Sequence, residues 1–256
     1  MSGLAIEPIK AFDDNYIWML RRGEDAVVVD PGDAGPVLAT LEERGLRLQG
    51  ILITHHHADH IGGIGELVAR SPVPVFGPAA SGIPGVDRRV VEGDRIFVMA
   101  GLAPFRVMEV PGHTLDHLAF YDGSHLFCGD TLFPCGCGRV FEGTMAQMHA
   151  SLSRLAALPP TTEVYSAHEY SLANAVFALA VEPANVCLQD RQRWMTHCRA
   201  DGQPTVPSLM GDELETNPFL RVEEAAVVQA ARRAAGHPLS SPEEVFGALR
   251  EWKNRF

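Results

Sequence analysis

Short runs of apolar residues, each ended by glycine, proline or a polar cluster, recur along the chain up to about residue 170. They are rich in β-branched and aromatic side chains, which is typical of buried strands. Asp122-Gly123 lies between two such runs and predicts a hairpin turn. We predict strands over residues 26–30, 50–53, 73–76, 95–98, 105–110, 118–121, 126–128 and 163–166.

Between these runs, apolar residues recur every three or four positions, which predicts helices over residues 36–44, 61–70 and 144–158. Beyond about residue 170 only helical patterns remain, separated by proline-rich joints. They predict helices over residues 174–180, 185–199, 223–235 and 242–252. Thr144 and Ser241-Pro242 are expected to begin their helices as an N-cap and as a cap followed by proline. We therefore predict a mixed α/β domain over residues 1–170, followed by a helical domain over residues 171–256.

The composition is that of a globular protein with a packed core. Apolar residues make up 46% of the 256 positions and charged residues 21%. No window approaches the roughly 20 apolar residues that a membrane span needs. The start Met1-Ser2-Gly3-Leu4 has no basic cluster and no apolar signal core, so export is not expected.

Cysteine content and net charge indicate the cellular compartment and the classes of ligand to expect. The five cysteines are odd in number and form no Cys-x-x-Cys pair, so we expect reduced thiols in a cytoplasm rather than a disulfide framework. The net charge of −11 argues against a nucleic-acid-binding surface. An anionic substrate would need a local basic patch.

The segment Thr54–His60, Thr-His-His-His-Ala-Asp-His, directly follows the apolar run of residues 50–53. On an extended exit from a strand, alternate side chains face the same way, so His55, His57 and Asp59 are expected to converge, with His56 on the opposite side. A solvated loop or an expression tag is the alternative, but a tag would not be internal. The pattern predicts a bound divalent cation.

Three more candidate ligands follow other predicted strands. His113, Asp130 and His168 each come one to three residues after an apolar run. A single histidine at such a place is usually an ordinary loop residue. Because strand ends at one sheet edge can bring separate segments together, three of them beside the first cluster indicate a shared site.

Five histidines and two aspartates exceed what one tetrahedral zinc ion uses, since catalytic zinc sites take three protein ligands. Two ions roughly 3.5–4 Å apart would match this number of ligands. A carboxylate, with two oxygens, is the group able to bridge them. Such a site lowers the pKa of bound water to about 7 and favours hydrolysis, and the ligand types require no redox step.

With these motifs in view, the chain resembles the metallo-β-lactamase superfamily, whose signature is Thr-His-x-His-x-Asp-His with a later His, Asp and His. Within it, the chain is similar to glyoxalase II, the hydroxyacylglutathione hydrolase family. The first motif alone is shared by lactamases, nucleases, lactonases and dioxygenases. The similarity covers nearly the whole chain and includes residues 14–18, 129–133, 137–144, 167–170, 217–219 and 250–253. The narrower resemblance rests on residues 137–144 and on the helical C-terminal segment.

The resemblance implies an αββα sandwich followed by a helical, glutathione-binding domain. It implies two divalent metal ions, with zinc expected and iron or manganese also compatible with the ligands. Asp59 and Asp130 are thereby the candidate catalytic residues. The implied ligands are His55, His57 and His113 for one ion, Asp59, His60 and His168 for the other, and Asp130 as the bridge.

The activity implied is hydrolysis of S-(2-hydroxyacyl)glutathione, chiefly S-D-lactoylglutathione, to D-lactate and glutathione, the second step of methylglyoxal detoxification. Hydroxide generated at the two metals would attack the thioester. A cytoplasmic monomer acting on this small molecule is expected. The alternatives are a persulfide dioxygenase, another hydrolase or phosphodiesterase of the same fold, and a non-catalytic metal-binding protein.

The resemblance also places a glutathione site. Arg139 keeps the charge of the lysine common at its position, whereas Phe141 lacks the hydroxyl of the usual tyrosine, a loss of about 1 kcal/mol. Pro134-Cys135 replaces the small residues expected there. The alternative for the terminal basic residues is favourable charge at a helix end. The implied substrate-binding residues are Arg139, Phe141, Tyr170, Asn174, Arg250 and Lys253.

Overall fold

The computed structural model describes residues 3–256; Met1 and Ser2, on which the predicted absence of an export signal partly rests, lie outside that range. The strands are β1 (Ala5–Ala11), β2 (Asn15–Arg22), β3 (Asp25–Val29), β4 (Arg47–Leu52), β5 (Val75–Pro78), β6 (Arg88–Val90), β7 (Arg95–Ile96), β8 (Phe105–Glu109), β9 (Leu118–Tyr121), β10 (His125–Gly129), β11 (Leu132–Phe133), β12 (Gly136–Cys137), β13 (Glu163–Ser166) and β14 (Ser208–Leu209).

The helices are α1 (Ala34–Arg44), α2 (Ala58–Ile61), α3 (Ile64–Arg70), α4 (Met145–Ala156), α5 (Ser171–Val181), α6 (Val186–Ala200), α7 (Met210–Thr216), α8 (Ala225–Ala235) and α9 (Pro242–Arg255). Within the described part of the chain, none of them is both long enough and apolar enough to cross a bilayer. Two compact units contain these elements. The first comprises the described residues up to Glu109 with Asp116–Gly129, and the second comprises Val110–Leu115 with Asp130–Phe256.

The first unit is built on a mixed sheet in the order β1 to β6. Strands β1, β2 and β3 pair antiparallel, whereas β3 to β6 pair parallel. Helices α1 and α3 bury an apolar face on this sheet. Because β3 and β4 are parallel neighbours, their carboxyl ends lie side by side, which brings Asp30 and Thr54 together.

Strands β7 to β10 of the same unit form an antiparallel meander. The hairpin predicted at Asp122-Gly123 is confirmed. The Asp122 carboxylate accepts the backbone N–H groups of Ser124 and His125, 2.9 and 2.8 Å away, which fixes the turn between β9 and β10.

The second unit contains the short antiparallel pairs β11–β12 and β13–β14 together with helices α4 to α9. Its core includes three fully buried phenyl rings: Phe177 on α5, Phe246 on α9, and Phe219 in the segment after α7. The phenyl rings of Phe177 and Phe219 stack 6.0 Å apart, and that of Phe246 meets Phe219 edge-on at 5.6 Å. These contacts hold the C-terminal helix in place.

Side-chain caps confirm two predicted helix starts, whereas α1, capped by Asp33, begins at Ala34, two residues before its predicted start. Thr144 and Gln147 form a reciprocal capping box on α4, and the Ser241 hydroxyl accepts the Glu244 N–H at the start of α9. The helix predicted over residues 61–70 is wrong in extent, because Gly62 and Gly63 separate α2 from α3. The sequence did not predict strands β1, β2, β6, β11, β12 and β14 or helix α7. Helix α7 has no capping side chain, and β2 is buried without alternation over six residues.

Candidate metal centre

The histidine-rich segment leaves β4 extended but does not stay so. His57 is the last extended residue, with φ −63° and ψ 145°, and helix α2 begins at Ala58. Asp59 and His60 therefore lie in a helical turn, and the prediction that Asp59 alternates with His55 and His57 on an extended chain is wrong. The turn still keeps these ligand types together in the first unit.

The four imidazole rings of this segment are in contact. The His55 ring lies 4.7 Å from that of His57 and 4.1 Å from that of His60, centroid to centroid. His55 and His60 are buried, and the His55 ring also stacks on His117 at 4.5 Å. The His56 ring meets the His57 ring edge-on at 5.2 Å, and its Nδ1 lies 2.9 Å from an Asp116 oxygen. Asp116 thus orients a histidine outside the predicted ligand set.

Asp30 holds this segment in place, and no sequence pattern identified it. Its carboxylate, 4% exposed, accepts the backbone N–H and the hydroxyl of Thr54, both at 2.7 Å. The same carboxylate lies 3.1 Å from Nδ1 of His60. Metal-binding histidines commonly pair their second ring nitrogen with a carboxylate in this way, which fixes the ring orientation.

Asp59 has an orienting partner as well. The Asn15 side-chain amide, at the start of β2, donates a 3.0 Å hydrogen bond to Oδ2 of Asp59. His60 Nε2 lies 3.3 Å from the same oxygen. Both ring nitrogens of His60 therefore face carboxylate oxygens, from Asp30 on one side and Asp59 on the other.

In the second unit, Asp130 stands between two histidines. Its Oδ2 lies 3.3 Å from Nε2 of His113, and its Oδ1 lies 3.3 Å from Nε2 of His168. All three side chains are buried. Each oxygen of one carboxylate thus faces a different imidazole nitrogen, which is the arrangement that a bridging carboxylate requires.

The hydrogen bond of His113 determines which of its ring nitrogens can face Asp130 as an acceptor. Nδ1 of His113 is 2.8 Å from the backbone carbonyl of Arg139, an acceptor, so Nδ1 bears the proton. A neutral ring then presents an unprotonated Nε2 to a carboxylate oxygen, and two acceptors repel each other. A cation between them removes the repulsion. The donor set therefore fits a divalent metal ion.

The loop that follows Asp130 is held by α7. Cys135 has φ 55°, unusual for a non-glycine residue, and its N–H donates to the buried Glu213 carboxylate at 2.9 Å. The Asn217 amide donates to the carbonyl groups of Phe133 and Gly136. Burial raises the pKa of the Cys135 thiol to about 11, so this cysteine stays protonated at neutral pH. Pro134-Cys135 is thus accommodated by partners far along the chain.

Two predicted substrate-binding residues are positive charges largely withdrawn from solvent, Arg250 buried and Lys253 half-buried. Arg250, 4% exposed, donates to the carbonyl of Cys137 at 2.8 Å and lies over the Phe219 ring at 5.2 Å. The Lys253 ammonium donates to Oδ1 of Asn174. Among residues 3–256, no carboxylate forms an ion pair with either. Burial, reinforced by the neighbouring charge of Arg250, lowers the pKa of Lys253 to about 8.

The other predicted substrate-binding residues lie close to the ligands of the second unit. Tyr170, partly exposed, stacks on His168 with ring centroids 4.8 Å apart. Phe141 is exposed and meets His113 edge-on at 5.2 Å, with the exposed Arg139 guanidinium 5.8 Å from its ring. Asn174 is buried and donates to the Pro134 carbonyl at 3.1 Å.

Family models account for nearly the whole chain. Residues 12–168 match the model of the metallo-beta-lactamase superfamily, and residues 169–256 match that of the hydroxyacylglutathione hydrolase C-terminus. A curated relative from Alkalilimnicola ehrlichii, named hydroxyacylglutathione hydrolase, is 54% identical over 252 residues, covering 98% of both chains.

Two solved structures are similar to this chain at lower sequence identity. ETHE1 from Myxococcus xanthus aligns with a TM-score of 0.66 and 26% identity, over 96% of this chain and 89% of that one. TTHA1623 in a di-iron-bound form aligns with a TM-score of 0.60 and 28% identity, over 84% of this chain and all of that one.

Proposed function

Because the chain belongs to the hydroxyacylglutathione hydrolases of the metallo-β-lactamase superfamily, we propose that it hydrolyses S-(2-hydroxyacyl)glutathione, chiefly S-D-lactoylglutathione, to D-lactate and glutathione. The fold class predicted from the sequence is confirmed by this membership. The chain is a thiolester hydrolase, and its histidine and aspartate cluster binds divalent metal. The observation that supports the substrate most directly is the 54% identity over nearly the full length of both chains.

We assign two metal ions to the seven predicted ligands. His55, His57 and His113 would hold one ion, Asp59, His60 and His168 the other, and Asp130 would bridge them. The 3.3 Å approach of each Asp130 oxygen to a different imidazole supports the bridge. The di-iron form of TTHA1623 supports a count of two. Zinc is the proposed metal, because imidazole and carboxylate ligands suit it.

When bound, such ions lower the pKa of a water molecule to about 7 and stabilise negative charge that develops on a carbonyl oxygen. The side chains of the protein fix the geometry. The carbonyl of Arg139 holds the proton on Nδ1 of His113 and so directs Nε2 towards Asp130. The Asp30 carboxylate orients the His60 ring, and the Asn15 amide orients the Asp59 carboxylate. The glutathione thiol has a pKa of about 8.5, so it leaves as a thiolate and needs no general acid to protonate it.

Glutathione is assigned to the proposed helical domain over residues 171–256. A charge withdrawn from water normally needs an opposite charge nearby, and neither the buried Arg250 nor the half-buried Lys253 forms an ion pair with a carboxylate among residues 3–256. A substrate carboxylate would supply that opposite charge. Arg139, Phe141, Tyr170 and Asn174 complete the proposed site.

A cytoplasmic location and a monomeric state are part of the proposal. All five cysteines, which lie within the described residues, are free thiols, as in proteins of reducing compartments.

The decisive experiment measures turnover of S-D-lactoylglutathione by the purified protein, with elemental analysis of the same sample. We expect the protein to release glutathione from the thioester and to contain about two equivalents of bound divalent metal per chain. Oxygen consumption with glutathione persulfide tests the dioxygenase alternative in parallel. Metal-loaded protein that consumes oxygen and leaves the thioester intact would overturn the proposal.

Lys253 makes the proposed glutathione site sensitive to pH. Its pKa of about 8 means that the ammonium is charged below pH 8 and neutral above it. Because only the charged form attracts a carboxylate, kcat/KM should fall as the pH rises through 8. Lys253→Met should raise KM roughly 10- to 100-fold at pH 7, as expected for a hydrogen bond to a charged group, with a smaller change in kcat.

Lys253→Arg is the matched control, because a guanidinium stays charged over the whole pH range in which the lysine ammonium titrates. The kcat/KM of this variant should stay level from about one pH unit below to about one pH unit above the Lys253 pKa of about 8. A wild-type profile without a fall near pH 8, or an Arg variant that falls with the wild type, contradicts the assignment. Lys253 is the better probe, since Arg250 also holds the Cys137 carbonyl and its removal would disturb the loop.

A further inference from the structure

Two of the three strained non-glycine positions within residues 3–256 lie near proposed metal ligands. Within residues 3–256, the non-glycine residues with positive φ are Phe12 at 50°, Asp30 at 52° and Cys135 at 55°. Such conformations cost about 1–3 kcal/mol and persist where the surroundings or the function require them. Asp30 is held by Thr54, and Cys135 by Glu213. Among the described residues, no comparable polar contact explains the conformation of Phe12.

Phe12 also exposes its ring. It occupies the turn between β1 and β2, and 59% of its surface is accessible to solvent. An aromatic ring contributes most to stability when it is buried, so folding alone gives no reason for a strained and exposed phenylalanine. A polar or glycine residue would serve a tight turn better.

The position of the ring connects it to the metal centre. A Cβ placed on Gly32 would lie 2.9 Å from Cε2 of Phe12 and would overlap the carbonyl oxygen of Asp59. The phenyl edge therefore lies across Gly32 from the backbone of a proposed metal ligand. Three residues further along, Asn15 donates to the Asp59 carboxylate. One turn thus both orients Asp59 and presents an apolar ring beside it, within the first unit.

We propose that Phe12 is a specificity-determining residue, whose ring forms an apolar wall for the acyl group of the thioester. This inference rests on the proposed function. The glutathione half of the substrate is assigned to cationic residues of the second unit, and a 2-hydroxyacyl group differs between substrates chiefly in its apolar substituent. An exposed ring beside Asp59 would bury that substituent and favour larger apolar groups over hydrogen.

The test compares three glutathione thioesters whose acyl substituents are hydrogen, methyl and phenyl: the S-glycoloyl, S-D-lactoyl and S-D-mandeloyl compounds. In Phe12→Ala, the ratio of kcat/KM for mandeloyl over glycoloyl should fall about tenfold, while turnover of the glycoloyl compound changes little. Phe12→Leu keeps an apolar side chain and should retain most of the preference.

Two further variants separate specificity from folding. Phe12→Gly removes the ring and relieves the positive φ, so its thermal midpoint should equal or exceed that of Phe12→Ala while the selectivity is equally lost. Phe97→Ala removes another exposed phenylalanine of the first unit, 73% exposed, and should leave the ratio unchanged.

The outcomes distinguish this inference from the proposed function. Wild-type protein that hydrolyses none of the three thioesters defeats the proposed function itself. Wild-type protein that hydrolyses them, with the same mandeloyl-to-glycoloyl ratio in Phe12→Ala, refutes the role of Phe12 alone. An equal loss for all three substrates would also refute it, because that result indicates a general effect on the centre rather than on the acyl group.

Discussion

Asp130→Ala is expected to lose bound metal and to lower kcat/KM by roughly a thousand-fold or more. Metal ions supply several kcal/mol of transition-state stabilisation, and each 1.4 kcal/mol is about a factor of ten in rate. Asp130 is the residue whose two oxygens each approach a different imidazole, at 3.3 Å from His113 and 3.3 Å from His168. Its removal therefore weakens the proposed site of both ions, whereas loss of a histidine weakens one.

Elemental analysis and turnover of S-D-lactoylglutathione, measured on the same preparation, test this result. The matched control is Asp33→Ala, because Asp33 caps α1 by accepting the Gly35 N–H at 2.8 Å. That variant should lose about 1 kcal/mol of stability and keep its metal and its activity. An Asp130→Ala protein that retains two ions per chain and full turnover would falsify the bridge.

Local chemistry explains how much of this molecule could be predicted from the sequence. Helix ends with side-chain caps, such as Thr144 and Ser241, were located because the cap and its partner are three residues apart. Candidate ligands were found because each follows an apolar run, and strand ends can share a sheet edge. Within each unit, the structure brings such residues into contact. The full ligand set and the glutathione contacts remain predictions.

Residues that act through distant partners were not predictable. Asp30 and Thr54 are 24 positions apart, Asn15 and Asp59 are 44 apart, and Cys135 and Glu213 are 78 apart. No periodicity joins them, since only the folded strands and helices bring them together. Arg250 is a related case. A terminal helix rich in charge predicts solvent-exposed side chains, but packing on Phe219 leaves this arginine 4% exposed.

Asp30→Ala is expected to have the largest effect on stability of any single change in the first unit that we consider. It leaves the buried N–H and hydroxyl of Thr54 without their acceptor, at about 1–3 kcal/mol for each group. Alanine also tolerates the φ of 52° less well than aspartate. For a chain of this size, 1 kcal/mol corresponds to roughly 2–4 °C, so the thermal midpoint should fall by about 10 °C.

Asp30→Asn separates this structural role from the effect on the metal. Asparagine tolerates the left-handed backbone and keeps one acceptor oxygen for Thr54, so most of the stability should remain. It loses the carboxylate charge 3.1 Å from Nδ1 of His60, and metal affinity should fall about 10- to 100-fold, as for other residues that orient a ligand. Competition with a chelator measures that affinity.

Asp122→Asn is the matched control for Asp30→Asn, because Asp122 is a carboxylate of the same unit that accepts hydrogen bonds from Ser124 and His125 in the β9–β10 turn. It should cost stability and leave metal affinity unchanged. If Asp30→Asn instead binds metal as tightly as the wild type, then the orientation of His60 does not depend on a charged partner. Asp30 would in that case act only by joining the ends of two parallel strands.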